Sequence, residues 1–284
     1  MAGISTLDAS AQDTNTFYRR TLHVLSDAAV PFLVGGSHAF LEYTGIVRNT
    51  KDFDLFLRRD DLDRAMDALQ AAGYRTELTF PHWLGKAYSD GDFIDIIYSS
   101  GNGVAVVDDG WFEHAVRSEI LGIEMMLCPV EEMLWSKAFV VERERFDGAD
   151  IVHLIKAQGP NIDWERLIYR FDRNWRVLLS HLILFGYVYP GERGVVPDHV
   201  MQGLLESLQD ENKASPPDER VCQGTLLSRE QYLVDIQAWG YEDARLRDDV
   251  RMTAADIAQW TAAIKGSTAT YDERKGIRQA GRGR

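Results

Sequence analysis

Two short apolar segments, each joined to a distinctive polar group, constrain the fold of this 284-residue chain more than any other feature. The first, Phe32-Leu33-Val34, leads directly into Gly35-Gly36-Ser37. The second starts as Asp52-Phe53-Asp54 and continues through Leu55-Phe56-Leu57. Short apolar runs bounded by glycine or polar residues are typical of buried strands. The sequence therefore predicts one short strand that ends in a small-residue turn and another that begins with two carboxylates.

The second of these strands separates its side chains by face. Successive residues of a strand point to opposite faces, so Asp52 and Asp54 share one face of the sheet. The other face carries Phe53, Leu55 and Leu57. We expect the apolar face to anchor the strand in the core while the two carboxylates project together on the opposite side.

Asp95 lies inside a third apolar segment, Phe93-Ile94-Asp95-Ile96-Ile97. This segment is the second strand of a hairpin that is predicted to turn at Asp90-Gly91. A carboxylate in a buried strand is costly unless a partner compensates its charge. Two interpretations stay open here. Asp95 is a paired core carboxylate, with Arg48 as its partner, or it joins the two carboxylates of the earlier strand in a cluster of three.

The small-residue turn and the carboxylates together indicate phosphate chemistry. Glycines let the backbone approach a phosphate closely, and a helix capped by Ser37 offers unpaired N–H groups and the positive end of its dipole. Carboxylate oxygens are the ligands that Mg²⁺ prefers. Asp52 and Asp54 are then expected to hold a pair of Mg²⁺ ions. Asp95 would be the third ligand and the base that takes the proton from an attacking hydroxyl.

In this order and spacing, the sequence resembles the nucleotidyltransferase superfamily, which has the polymerase-beta-like fold. The matching residues are Gly35-Gly36-Ser37, Asp52-Phe53-Asp54 and Asp95. The stretch from Arg48 to Leu55 is similar to the minimal and antibiotic-modifying branches, and the sequence as a whole also resembles toxin-antitoxin-type members. The resemblance implies an Mg²⁺-dependent transfer of an NMP group from an NTP to a hydroxyl acceptor, with release of pyrophosphate. It also implies that a basic residue on a later helix binds the triphosphate, and Lys137 is the candidate.

The sequence pattern changes near residue 127 from mixed α/β to helical. Residues 1–127 are predicted to form an α/β (α+β) nucleotidyltransferase-like domain, a mixed sheet with flanking helices. Residues 128–265 are predicted to form an all-α domain, with a polar linker at about 209–227 and the active site in the cleft between the domains. We further expect helices at 130–143, 148–157, 163–171 and 174–188, a loose segment at 1–14, and a basic, disordered tail at 266–284.

Charge and composition limit the partners. The net charge of -13 and the pI near 5.0 disfavour broad binding to a polyanion. A small molecule such as an aminoglycoside-like cation, or a protein side chain, is therefore favoured as the acceptor over a tRNA end. Cys128 and Cys222 form neither a disulfide framework nor a metal motif, and no signal peptide or membrane span is indicated. We expect a cytoplasmic protein. Which NTP base it prefers, and whether it forms a homo-oligomer, stay open.

A function of another class also stays open at this point. The chain would then be a non-catalytic module that senses a nucleotide or binds a partner and has kept the fold. The three carboxylates argue against this alternative, because a binding module has no need of all of them. The two functions differ in whether Mg²⁺ and an NTP yield pyrophosphate with any acceptor.

Overall fold

The computed structural model describes the backbone of residues 4–48, 52–250 and 252–263, and within these ranges the side chains from Thr14 onward. In this part of the chain, one mixed sheet of seven strands carries the fold. Its strands in chain order are β1 (Leu33–Val34), β2 (Asp54–Phe56), β3 (Arg75–Phe80), β4 (Leu84–Ser89), β5 (Asp92–Ile97), β6 (Val116–Ile120) and β7 (Ile123–Leu127). Across the sheet the order is β3-β4-β5-β2-β1-β7-β6.

Helices flank the sheet and then form most of the second half of the chain. The first group is α1 (Ile4–Asp27), α2 (Gly36–Thr44), α3 (Leu62–Ala71) and α4 (Asp109–Glu113). The second group is α5 (Val130–Ala138), α6 (Gly148–Gln158), α7 (Trp164–Phe171), α8 (Trp175–Val188), α9 (Asp198–Lys213), α10 (Leu233–Gln237) and α11 (Ala254–Ala262). The predicted fold class, a mixed sheet with flanking helices followed by a helical region, is confirmed. Among the described helices, none has the length and apolar character needed to cross a membrane.

A tight hairpin joins β4 to β5. Its turn residues Asp90 and Gly91 have φ angles of 52° and 93°, as a type I′ turn requires. The two strands pair without interruption from Ser89 opposite Asp92 to Leu84 opposite Ile97. The predicted turn is confirmed, and it determines which residues of β4 lie opposite those of β5.

The short strand β2 lies in the middle of the sheet. It pairs in parallel with β5 and antiparallel with β1. Phe53, Leu55 and Leu57 have no solvent exposure, and the ring of Tyr18 stacks on Phe53 with 4.6 Å between the ring centroids. The predicted alternation is confirmed: the apolar face of this segment is buried in the core, and Asp54 lies on the opposite face.

The predicted helices after the sheet are present, with one difference at an end. The bounds of α6, α7 and α8 agree with the predicted segments within one residue. The helix α5, however, ends at Ala138 and not at residue 143. The chain turns back there, because Val141 and Phe146 form an antiparallel bridge and the Glu142 N–H donates to the Arg145 carbonyl at 2.8 Å.

Two segments that were expected to be irregular contain regular structure. Residues 4–14 belong to α1, and no Gly or Pro interrupts the sequence from Ile4 to Asp27. In the linker predicted at 209–227, α9 continues to Lys213, and a two-residue strand β8 (Val221–Cys222) pairs in parallel with β9 (Glu242–Asp243). The tail predicted at 266–284 lies outside the described residues, and the division into two domains stays a prediction.

Candidate active site

The sheet brings the predicted carboxylates into one region. Asp54 of β2 and Asp95 of β5 are register partners in a parallel pair, and the Asp95 N–H donates to the Phe53 carbonyl at 3.0 Å. Neighbouring strands lie about 4.8 Å apart, and paired residues present their side chains on the same face. Asp52 precedes β2 and is exposed, and its charge acts on both other carboxylates.

The glycine turn lies directly against Asp54. The Gly35 N–H donates to the Asp54 carbonyl at 3.0 Å, and α2 begins at Gly36, which has a φ of +54°. A Cβ atom on Gly36 would overlap the Asp54 carboxylate, so glycine is required for this approach. The helix is preceded by Gly35 and has no side-chain cap. The predicted cap by Ser37 is therefore wrong, because Ser37 lies inside the first turn.

Negative charge accumulates at Asp54. Its pKa is raised to about 7, chiefly by burial and then by the charges of Asp95 and Asp52, against the opposing charges of Lys137 and Arg145. Burial also raises the pKa of Asp95. Hard oxygen donors whose charges repel one another are stabilised by a cation placed between them. The chemistry of this donor set therefore fits a divalent cation such as Mg²⁺.

The arrangement of these donors differs from a complete metal site. Within the described residues, no three His, Cys, Asp or Glu side chains are gathered in a way that would hold a metal ion. The Asp95 carboxylate is engaged elsewhere, since its Oδ1 lies 2.6 Å from the Lys86 ammonium. The assignment of Asp52, Asp54 and Asp95 as a set of three metal ligands stays a prediction.

Lys86 is the candidate site residue that the sequence analysis missed. It lies opposite Asp95 across the β4–β5 hairpin, and its ammonium counteracts the effect of burial on the pKa of Asp95. Arg48, the partner considered for Asp95, pairs with Asp150 at 2.8 Å instead. The signal was present in the sequence. Residues equally distant from a two-residue turn face each other, and the turn at Asp90-Gly91 places residue 86 opposite residue 95.

Three cations surround two carboxylates at the start of α6. The Lys137 ammonium lies 3.2 Å from Asp147 and 3.0 Å from Asp150, Arg145 donates to Asp147 at 3.0 Å, and Arg48 binds Asp150. Burial acts to raise the pKa of Asp147, but the Arg145 hydrogen bonds and the Lys137 charge outweigh it, and the pKa is lowered. The group carries one positive charge in excess, and two of its cations act on the β2 carboxylate.

Comparison with known proteins gives remote likenesses. No family model matches the sequence, and no curated protein matches it significantly. The chain is similar to the solution structure of the antibiotic-resistance factor ANT(2'')-Ia, at 15% identity and a TM-score of 0.42 over 60% of this chain and 97% of that chain. The crystal structure of ANT(2'')-Ia in complex with adenylyl-2''-tobramycin gives 14% identity and a TM-score of 0.40, over 57% and 97% of the two chains.

A third likeness is to the lincomycin-bound crystal structure of LnuA, a lincosamide antibiotic adenylyltransferase. It has 15% identity and a TM-score of 0.36, over 49% of this chain and 94% of that chain. Because the TM-scores are 0.42 and below, the function proposed next rests on the geometry of the site itself.

Proposed function

We propose that this chain is a nucleotidyltransferase that moves an NMP group from an NTP to a hydroxyl acceptor and releases pyrophosphate. One observation carries the proposal. Asp54 and Asp95 are register partners on neighbouring strands, and the Gly35-Gly36 turn is held against Asp54 by a backbone hydrogen bond of 3.0 Å. A glycine turn at the start of a helix and two carboxylates are thus joined in one place.

The nucleotide would bind at the start of α2 and near the group of Lys137, Arg145 and Arg48, whose three positive charges exceed the negative charges of its two carboxylates by one. Gly35 forms the turn against β2, and Gly36 and Ser37 supply backbone N–H groups and the positive dipole end of a nine-residue helix. Lys137 and Arg145 act electrostatically on Asp54, which supports a position for both cations beside the triphosphate. Their carboxylate partners hold the two side chains in place until the phosphates arrive.

The three carboxylates divide the chemistry between them. Asp52 and Asp54 would hold Mg²⁺, with Asp95 as the third ligand in the two-ion form, and Mg²⁺ when bound neutralises charge on the transferred phosphoryl group. Asp95 accepts the proton of the acceptor hydroxyl. The hydroxyl oxygen then forms a bond to the α-phosphorus, and the bond from that phosphorus to the pyrophosphate oxygen breaks.

The acceptor is proposed as a class only. The net charge of -13 favours a cationic small molecule or a protein side chain. A tRNA end would have to overcome the repulsion of the whole chain, so a strong shift of tRNA at moderate salt would contradict this preference. Neither the base of the NTP nor the oligomeric state enters the proposal.

The test is pyrophosphate release from Mg²⁺ and each of the four NTPs with a panel of hydroxyl acceptors. We expect Asp54→Asn to abolish turnover without unfolding the chain, because the substitution removes a charge and no volume. Asp67→Asn is the matched control, since Asp67 is an exposed residue of α3, and it should retain full activity.

Two results would contradict the proposed transfer. Full activity of Asp54→Asn would remove this carboxylate from the reaction. Binding of Mg²⁺ and NTP without turnover across the whole panel would instead favour the non-catalytic nucleotide-sensing or partner-binding module.

A further inference from the structure

A row of charged residues crosses one half of the sheet. Glu77 of β3 is the register partner of Lys86 in β4, Lys86 is the partner of Asp95 in β5, and Asp95 is the partner of Asp54 in β2. Because register partners on neighbouring strands present their side chains on the same face, all four lie on the face of the candidate active site. The backbone pairing alone therefore places a lysine two strands away from Asp54.

The side chain of Lys86 is directed to Asp95. Its ammonium lies 2.6 Å from Asp95 Oδ1, and the ammonium also lies 4.4 Å from the centroid of the Phe93 ring. The side chains of Lys86 and Asp95 are only 19% and 14% exposed. On the other side of Lys86, Glu77 is bound by Arg75 at 3.1 Å, which reduces its competition for the lysine. The ion pair with Asp95 is thus enclosed and well defined.

We propose that Lys86 is a fixed cation of the active site, which occupies Asp95 and leaves Asp52 and Asp54 to hold a single Mg²⁺ ion. This inference rests on the proposed function and deepens it by choosing a one-ion form over the two-ion form. A divalent cation bound at Asp95 would lie within a few ångströms of the ammonium and would be repelled by it.

Lys86 therefore acts as a positioning residue. It holds the Asp95 carboxylate on the face where the acceptor hydroxyl must approach, and it supplies the positive charge that a second metal ion would bring. The consequence is a stoichiometry: one tightly bound divalent cation for each nucleotide complex, in place of the two that three free carboxylates would hold.

The experiment counts Mn²⁺ ions by electron paramagnetic resonance in the full chain saturated with a non-hydrolysable NTP analogue. We expect one tight Mn²⁺ in the wild type and in Lys86→Arg, which keeps the charge. We expect two in Lys86→Met and Lys86→Gln, which free Asp95. Lys156→Met is the matched control, because Lys156 forms an ion pair with Glu192 at the exposed surface of α6; it should bind one.

The possible outcomes separate this inference from the function on which it rests. Two Mn²⁺ ions in the wild type, or one in both Lys86→Met and Lys86→Gln, would overturn the role of Lys86 alone. Asp54→Asn should lose the tight Mn²⁺. If wild type and Asp54→Asn bind Mn²⁺ no better than the free analogue does, the proposed function fails as well. Thermal unfolding of each variant identifies any loss of fold. If a variant is unfolded, the number of Mn²⁺ ions bound by the wild type still decides between one ion and two.

Discussion

At the scale of single residues, a comparison of Gly36 with Gly45 separates two effects of a substitution. One is backbone strain, and the other is the overlap of a new side chain with its neighbours. Its φ is +54°, and a Cβ atom there would overlap the Asp54 carboxylate. Gly45 at the other end of α2 has a φ of +71°, with no atom within 4 Å of a Cβ placed there. A substitution at either position would therefore cost about 1–2 kcal/mol of left-handed backbone strain. Only Gly36 lies against the candidate active site.

We predict that Gly36→Ala abolishes binding of an NTP analogue, whereas Gly45→Ala keeps it. Both variants should lose roughly 1–2 kcal/mol of unfolding free energy from backbone strain, and Gly36→Ala should lose more because the Asp54 carboxylate must move. Calorimetric titration with the analogue and denaturant unfolding measure the two quantities. Equal nucleotide affinities in the two variants would show that the glycine turn is not the phosphate site.

At the scale of secondary-structure elements, α5 and α7 are joined by a buried ion network. Glu132 of α5 is fully buried, and it accepts hydrogen bonds from Arg166 and, at 2.9 Å, from Arg170. Burial raises the pKa of Glu132, and the two arginines oppose this effect. The arginines are themselves almost enclosed, and each has a second carboxylate partner, Glu131 for Arg166 and Asp108 for Arg170. Removal of the Glu132 carboxylate would therefore take one hydrogen-bond acceptor from each arginine and leave its charge paired.

We predict that Glu132→Ala lowers the free energy of unfolding by about 1–3 kcal/mol, because the two arginines keep their other carboxylate partners but lose their shared buried acceptor. Glu192→Ala, which breaks the exposed pair with Lys156, should change it by less than about 1 kcal/mol. Urea denaturation of the two variants beside the wild type measures both values. A loss of similar size in both would mean that the network contributes no more than a surface pair.

The elements also show how far sequence reasoning reaches. The bounds of α6–α8 and the Asp90-Gly91 turn were predictable, because periodicity and turn chemistry are local. The neighbouring positions of Asp54 and Asp95 were one of two open interpretations, because they depend on the long-range pairing of β2 with β5. The early end of α5 was not predictable, because it depends on a bridge from Val141 to Phe146. Ion-pair partners on different helices, such as those of Lys137, likewise depend on tertiary packing that no periodicity encodes.

At the scale of the whole molecule, the end of the described chain returns to the sheet. Gln259 of α11 donates to the Thr79 carbonyl of β3 at 3.2 Å, and Asn102, which is buried, donates to the Leu226 carbonyl at 2.6 Å. The described residues after α9 thus contact β3, which neighbours the strand of Lys86, and the loop that follows the strand of Asp95. Leu226 and Met252 of this region belong to the same hydrophobic core as the apolar residues of β2 and β5.

A change of pH alters the stability of this core in two opposite directions. The buried carboxylates Asp54, Asp95 and Glu132 have raised pKa values, so their contribution to stability improves as the pH falls. Burial lowers the pKa of His181, whose Nε2 lies 2.9 Å from the Ala138 carbonyl, below the ordinary value of 6.5. Its contribution has the opposite sign, because the unfolded chain binds this proton more tightly than the folded chain does. A comparison of variants is needed to separate the two.

We predict that the wild type loses stability relative to His181→Gln as the pH falls from 7.5 to 5.5. Well above pH 6.5 the histidine is neutral in both states. As the pH falls through 6.5 the unfolded state gains a proton first, which costs at most about 1.4 kcal/mol for each pH unit. His199→Gln is the control, because His199 is exposed on α9, and it should follow the wild type at every pH. Urea denaturation at intervals of half a pH unit measures the slopes. Parallel slopes for His181→Gln and the wild type would show that His181 takes up its proton equally well in the folded core.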